Sequence, residues 1–133
     1  MNIVMTSGTF DLLHYGHIRL LKRAKAHGDY LIVGLSTDQF CLSSKNKKVF
    51  YTYSIRKEML EALSCVDKVI PEYSFETKFK DFQKYGVNTF IIGDDYKNSP
   101  LIKDIPKYCK LVFLKRTRNI STTQIKTILK QPS

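Results

Sequence analysis

The sequence predicts an α/β fold in one domain, a doubly wound parallel sheet with helices on both faces, and three observations carry that expectation. Short apolar, β-branched runs alternate with segments whose apolar residues recur at helical spacing. Several runs are apolar throughout rather than alternating, as strands buried on both faces of a parallel sheet are. The chain has 133 residues, the size of one ordinary domain, and its 43% apolar and 26% charged composition is that of a folded protein.

Asn2 to Thr6 reads as a first strand closed by a turn at Ser7-Gly8. A helix is expected from about Gly16 to Ala26, where Ile18, Leu20, Leu21 and Ala24 keep helical spacing and Gly28 stops it. Tyr30 to Leu35 is a buried second strand. Ser43 to Lys48 is polar, lysine-rich and without period, and is expected to be a mobile loop. Ile55, Met59, Leu60 and Leu63 restore the helical period. Asp67 to Pro71 is a short strand, Glu76 to Tyr85 a helix stopped by Gly86, and Thr89 to Ile92 a buried strand ending at Gly93-Asp94-Asp95. Leu111 to Leu114 adds a last strand, and Ile125, Ile128 and Leu129 mark a final helix starting near Ser121. No internal repeat, linker or low-complexity segment interrupts this order. An open α/β sheet binds its ligand beyond the carboxyl ends of its strands, which selects the loops Ser7 to Gly16, Ser36 to Tyr53, Gly93 to Pro100 and Lys115 to Thr123.

The formal net charge is +10, and from Lys97 onward there are nine basic residues against the single acid Asp104. An anionic partner near that end is expected. Cys41, Cys65 and Cys109 are odd in number, widely spaced and without a C-x-x-C pair, so they read as reduced thiols. Met1 to Phe10 lacks a basic region or a long apolar stretch, and nowhere do eighteen apolar residues run together. Neither secretion nor membrane insertion is expected, and a cytoplasmic location is.

Gly8-Thr9-Phe10-Asp11-Leu12-Leu13-His14-Tyr15-Gly16-His17 leads into a helix. Two imidazoles three residues apart at a helix start suit a phosphate, because the helix end offers free N–H groups and positive potential and the rings add donors. Thr9 and the backbone of Phe10 can complete the cradle. The plainer reading makes Gly16 a turn, His17 a helix-start residue and Asp11 a cap, and the residues alone leave the two open. A zinc site would need a further ligand, and His27 and the cysteines stand at no spacing that supplies one. A second constellation, Lys115-Arg116-Thr117-Arg118-Asn119-Ile120-Ser121-Thr122-Thr123, combines guanidinium groups with hydroxyls at the head of the last helix, which suits a polyphosphate. Ser121 with Gln124 is equally a capping box, but a cap does not account for Arg116 or Arg118.

Together GTFDLLHYGH, GDYLIVGLSTD, the helix around Arg56, VDKVIPE, GDDY and RTRNISTT resemble the small bacterial cytidylyltransferases, from Ile3 to Ile128. The resemblance implies a Rossmann-like homodimer that joins CTP to sn-glycerol 3-phosphate, giving CDP-glycerol and pyrophosphate by in-line attack without a covalent enzyme intermediate. It implies that Thr9, Phe10, His14, Tyr15, Gly16 and His17 hold CTP, with the histidines stabilising charge at the α-phosphorus. It adds Lys47, Asp95 and the run Arg116, Thr117, Arg118, Asn119, Ile120, Ser121, Thr122 and Thr123 to the CTP site, with Lys47 and Arg116 beside the histidines as catalytic groups. Lys45 and Lys78 match the positions that meet the acceptor's phosphate, and Asp11, Asp38 and Arg56 match recurring positions assigned to the acceptor side. A divalent cation, Mg²⁺, is expected to accompany CTP, and the product points to teichoic-acid or glycerol-containing capsule precursors.

The chain departs from that pattern at Ser64, where the family carries an arginine, at Arg118 and Asn119 in place of an acid and a glycine, and at Phe75 and Tyr96 in place of tryptophans. Asn tolerates positive φ better than most residues, so Asn119 can keep the turn. Phe75 leaves room for another phosphorylated alcohol, such as ethanolamine phosphate or a different polyol phosphate, as acceptor. A basic nucleic-acid-binding module is the non-enzyme alternative raised by the charge, but the basic residues gather around phosphate-binding motifs rather than along one helix face. The chain also lacks an amphipathic membrane helix, which favours a soluble acceptor.

Ser121→Ala separates the cap from the ligand. The expected result is a large loss of activity with little change in Tm. A loss of about 1 kcal/mol of stability with kcat intact would make Ser121 a cap alone.

Overall fold

A computed structural model describes residues 1–115. Five parallel strands form one sheet in the order β3-β2-β1-β4-β5, with β1 at Ile3–Gly8, β2 at Tyr30–Ser36, β3 at Lys68–Glu72, β4 at Thr89–Gly93 and β5 at Lys110–Leu114. Helix α1 (Tyr15–Lys25) joins β1 to β2, α2 (Asp38–Ser44) and α3 (Tyr53–Glu61) join β2 to β3, and α4 (Thr77–Tyr85) joins β3 to β4. Three short 3₁₀ turns, Asp94–Tyr96, Pro100–Ile102 and Ile105–Lys107, lead to β5. The strands take the doubly wound arrangement expected.

Register explains the runs that are apolar throughout. β1 pairs with β2 from Ile3 opposite Tyr30 to Gly8 opposite Leu35, and on its other side with β4 from Val4 opposite Thr89 to Thr6 opposite Ile91. Side chains alternate between the two faces. Val4, Leu31, Val33, Leu35 and Ile91 pack in one cluster with Leu21, Ala24 and Leu60, while Met5, Ile32, Ile70 and Phe90 pack in another with Phe82, Ile102 and Ile105. At roughly 1.5–3 kcal/mol for each fully buried large apolar side chain, these two layers are the main source of stability.

Several local expectations are corrected. Helix α1 starts at Tyr15 with His14 as its N-cap, not at Gly16 with Asp11 as cap. It ends at Lys25 with Ala26 as C-cap, so Gly28 does not stop it. Gly28 is needed for close approach, since a Cβ there would lie 2.5 Å from the Asn2 carbonyl oxygen and from Val4 Cγ2. Ser43 and Ser44 belong to α2 rather than to a loop, because Thr37 Oγ1 accepts from the Phe40 N–H at 3.1 Å and Phe40 and Cys41 bury one face. In α3 the expected apolar stripe is displaced: Ile55 is exposed, and Arg56 points inward beside Leu60. Gly86 does end α4, at φ 64°.

Gly28→Ala should cost about 1–3 kcal/mol, because the new methyl meets backbone that cannot swing aside. Urea unfolding checks this, and an unchanged midpoint would contradict it.

Candidate active site

In this topology β1 is the switch point. The chain leaves it by α1 toward β2 and returns on its other side as β4, so the crevice beyond the carboxyl ends of β1 and β4 is where a ligand is held. The loop from Gly8 to His14 lies there. Phe10 at φ 49° and Leu12 at φ 50° both take the left-handed conformation that non-glycine residues avoid, a strain found where function sets the backbone. Gly8 admits the Phe10 ring, whose Cε2 would lie 3.0 Å from a Cβ at that position.

Two buried charged side chains hold this strained loop. The Asp11 carboxylate accepts from the N–H groups of Leu12, Phe50 and Tyr51. The Arg56 guanidinium is 1% exposed; it donates to the carbonyls of Thr9 and Ser36, each at 2.8 Å, and of Tyr51 at 3.0 Å, and pairs with Asp38. Residues from the ends of β1 and β2 and from the approach to α3 thus meet on one planar cation.

At the head of α1 the two histidines form a reciprocal cap. His14 Nδ1 accepts from the Gly16 N–H at 3.0 Å, and His17 Nδ1 accepts from the His14 N–H at 3.2 Å. Their rings stack with centroids 3.8 Å apart, and the Phe10 ring meets His17 edge-on at 5.4 Å. A backbone N–H can only donate, so each imidazole must carry its proton on Nε2. The result is two Nε2–H donors side by side at the positive end of a helix dipole.

A cationic cluster lies at the ends of β2 and β3. Lys45 Nζ donates to Ser36 Oγ at 2.9 Å and to Thr9 Oγ1 at 3.4 Å, and sits over the Phe40 ring at 5.0 Å. Lys78 is buried, sits over Phe75 at 5.2 Å and lies 3.7 Å from Glu72. Phe40 and Phe75 meet edge to face at 5.1 Å, linking the two lysines. Burial pushes Lys45 below the usual lysine range, against the pull of Glu72. Burial likewise raises the Glu72 carboxyl, against the pull of Lys78 and Lys45.

Other expected site residues stand around these groups. Tyr15 is exposed with the Arg19 guanidinium over its ring, and Gly16 lends its N–H to the His14 cap. Lys47 is exposed, its backbone fixed by the Cys41 carbonyl at 2.8 Å. Asp95 lies on the 3₁₀ turn after β4, where Gly93 makes room for its carboxylate. The Arg116, Thr117, Arg118, Asn119, Ile120, Ser121, Thr122 and Thr123 segment lies outside the described residues. Its entry is anchored, because Arg23 donates to the Lys115 carbonyl at 2.9 Å.

Sequence reasoning missed Glu72, Ser36 and Phe40. A signal for Glu72 existed: it is an acid closing an apolar strand, and the carboxyl end of β3 belongs with the other strand ends as a binding position.

Imidazole ¹⁵N NMR should find the proton on Nε2 of both His14 and His17. A proton on Nδ1 of either ring would contradict the reciprocal cap.

Comparison with known proteins agrees with this geometry. Residues 5–128 match the Cytidylyltransferase-like family model. The glycerol-3-phosphate cytidylyltransferase of Bacillus spizizenii is 53% identical over 126 residues, covering 95% of each chain. That of Staphylococcus aureus is 50% identical over 127 residues, covering 95% of this chain and 93% of its own. Among solved structures, a lipopolysaccharide core biosynthesis protein from Thermoplasma volcanium superposes with a TM-score of 0.73 at 25% identity, over 88% of this chain and 98% of its own. A match across nearly the whole length, on a sheet whose switch point carries the paired histidines, leaves one assignment: the chain belongs to the cytidylyltransferase-like family.

Proposed function

We propose that this protein transfers the cytidylyl group of CTP to sn-glycerol 3-phosphate, giving CDP-glycerol and pyrophosphate. The relatives at 50% and 53% identity support that pair of substrates. The observation that carries the reading on the protein itself is the stacked His14–His17 pair, whose Nδ1 atoms are committed to the cap.

A phosphate oxygen of the acceptor bonds to the α-phosphorus of CTP as the bond from that phosphorus to the α–β bridging oxygen breaks, and pyrophosphate leaves with the bridging oxygen. The barrier is largely repulsion between anions and the need for alignment. Two Nε2–H donors at a helix N-terminus answer the charge that grows on the leaving oxygens. Thr9, the Phe10 backbone, Lys47, Arg116 and the Ser121 and Thr122 hydroxyls complete the CTP side. Lys45 and Lys78 receive the acceptor's phosphate, and their positions beside Thr9 and above Phe40 and Phe75 support that role. Mg²⁺ accompanying CTP would be held mainly by the nucleotide's own phosphates and would offset their charge, leaving the histidines and lysines to orient the reacting groups.

Among the described residues no helix is long and apolar enough to cross a membrane. We infer a cytoplasmic homodimer that supplies activated glycerol phosphate for teichoic-acid or capsule assembly. Exposed Phe50, Ile55 and Tyr73 are apolar surface available for pairing, and light scattering should give twice the chain mass.

The test is pyrophosphate release with CTP, ATP, GTP and UTP over a panel of phosphorylated alcohols. CTP with sn-glycerol 3-phosphate should be used well ahead of every other pair. Equal turnover with ATP would contradict the nucleotide assignment, and a preference for ethanolamine phosphate would contradict the acceptor. His17→Ala should lower kcat by two or more orders of magnitude, about 2.7 kcal/mol. Loss of its cap should cost only about 1 kcal/mol of stability, so the comparison is made where the variant is folded. Near-normal turnover would remove His17 from the chemistry.

A further inference from the structure

Glu72 closes β3 and its side chain is 3% exposed, yet its Oε2 has no hydrogen-bond partner among the described residues. Oε1 lies 3.7 Å from Lys78 Nζ, beyond ordinary hydrogen-bond length. Gly34, in the middle of β2, leaves the space for this carboxylate: a Cβ there would lie 3.2 Å from Oε2. The Ser7 hydroxyl serves the carboxylate but leaves Oε2 over, and a carboxylate buried with an oxygen unsatisfied is unfavourable unless nearby cations compensate, so such a group is rarely there for stability alone. The cations it faces are Lys45 and Lys78, which come from different segments and repel one another.

We propose that Glu72 is a positioning residue for the acceptor: its buried carboxylate holds Lys45 and Lys78 together as charged ammonium groups, preassembling the site for the acceptor's phosphate. This rests on the reading that those two lysines meet that phosphate. Two lysines drawn to one carboxylate are held near each other without ligand, so a phosphate dianion meets a formed pair rather than assembling it. The loose Glu72–Lys78 distance suits this, since the ammonium has three donors, one of them on the Phe75 carbonyl, and the rest stay available to a phosphate. Phe75, which takes its contact with the Lys78 ammonium on its ring face and through its carbonyl at 3.3 Å, fixes the same group from the other side.

The pH dependence follows from every charged neighbour. Lys45 faces Glu72, Cys41, Lys47 and Lys78, and Glu72 faces Lys78, Lys45 and Asp81 and accepts from the Ser7 hydroxyl. Burial already lowers the Lys45 pKa, and Glu72 is the largest opposing influence. Without that negative charge, Lys45 gives up its proton more readily. The defect therefore grows as pH rises.

The experiment compares Glu72→Gln with Lys78→Met in steady-state kinetics with CTP and sn-glycerol 3-phosphate, from about pH 7 to about pH 9. Lys78→Met should raise the acceptor KM about tenfold or more with the CTP KM little changed. If it does not, the reading of the lysines as acceptor ligands fails, whatever Glu72 does. Given that result, Glu72→Gln should raise the acceptor KM about tenfold at the upper end of the range and markedly less at the lower end. The CTP KM should hold throughout. An acceptor KM unchanged at all pH values, or raised equally at all of them, overturns the proposal. So does an equal rise for CTP, which is what general loosening of the fold would give. Should Glu72→Gln fold poorly, Glu72→Asp provides the second variant: it keeps the charge and should preserve the wild-type pH profile of the acceptor KM, and a profile shifted as in the loss of charge contradicts the claim.

Discussion

The buried guanidinium of Arg56 is the interaction on which the site depends. A charge with 1% exposure would be strongly unfavourable alone, and Asp38, its counter-charge among the described residues, is itself 46% exposed on its side chain. Three backbone carbonyls make the difference, from Thr9, Ser36 and Tyr51. Those carbonyls lie at the ends of β1 and β2 and before α3, so one side chain ties three separate segments together. Asp11 does the converse by gathering N–H groups, and Tyr51 is gripped by both, its N–H by Asp11 and its carbonyl by Arg56. The strained backbone at Phe10 and Leu12 persists because this framework over-determines it.

That framework fixes the position of the donors at the head of α1. The imidazoles of His14 and His17 cap the helix and present Nε2–H groups in one arrangement, so the cap is compatible with the phosphate-binding role we propose for the same rings. Capping through Nδ1 holds each ring in one tautomer without any ligand. A donor whose orientation is set beforehand needs no reorganisation as charge develops, which is how such groups lower a barrier.

Much of the fold was legible because parallel strands buried on both faces leave unbroken apolar runs, as at Leu31 to Leu35, and because Gly86 ends α4 by positive φ. The loop after β1 was legible through its histidine spacing and its place in strand order. Helix α2 was not, because its signal is one capping threonine and two buried residues inside a serine- and lysine-rich stretch. Arg56 was legible as a recurring position but not as an inward-facing cation, since the helical period read from Ile55 points the wrong residue to the core. The position of Glu72 at a strand end was a signal, but its burial depends on Lys45, twenty-seven residues earlier, and on Lys78 in the next helix. The strand end marks the position, and only the tertiary charge pairing shows that the acid is buried.

The measurement that tests the central claim most directly is amide hydrogen exchange on an Arg56→Met variant, compared with the wild type. If Arg56 holds the loops without supporting the sheet, exchange at Phe50 and Tyr51 and around Thr9 accelerates by about tenfold or more, while the central amides of β1, β2 and β4 keep their protection. Uniform acceleration across the sheet, or no change in the loops, would contradict the account.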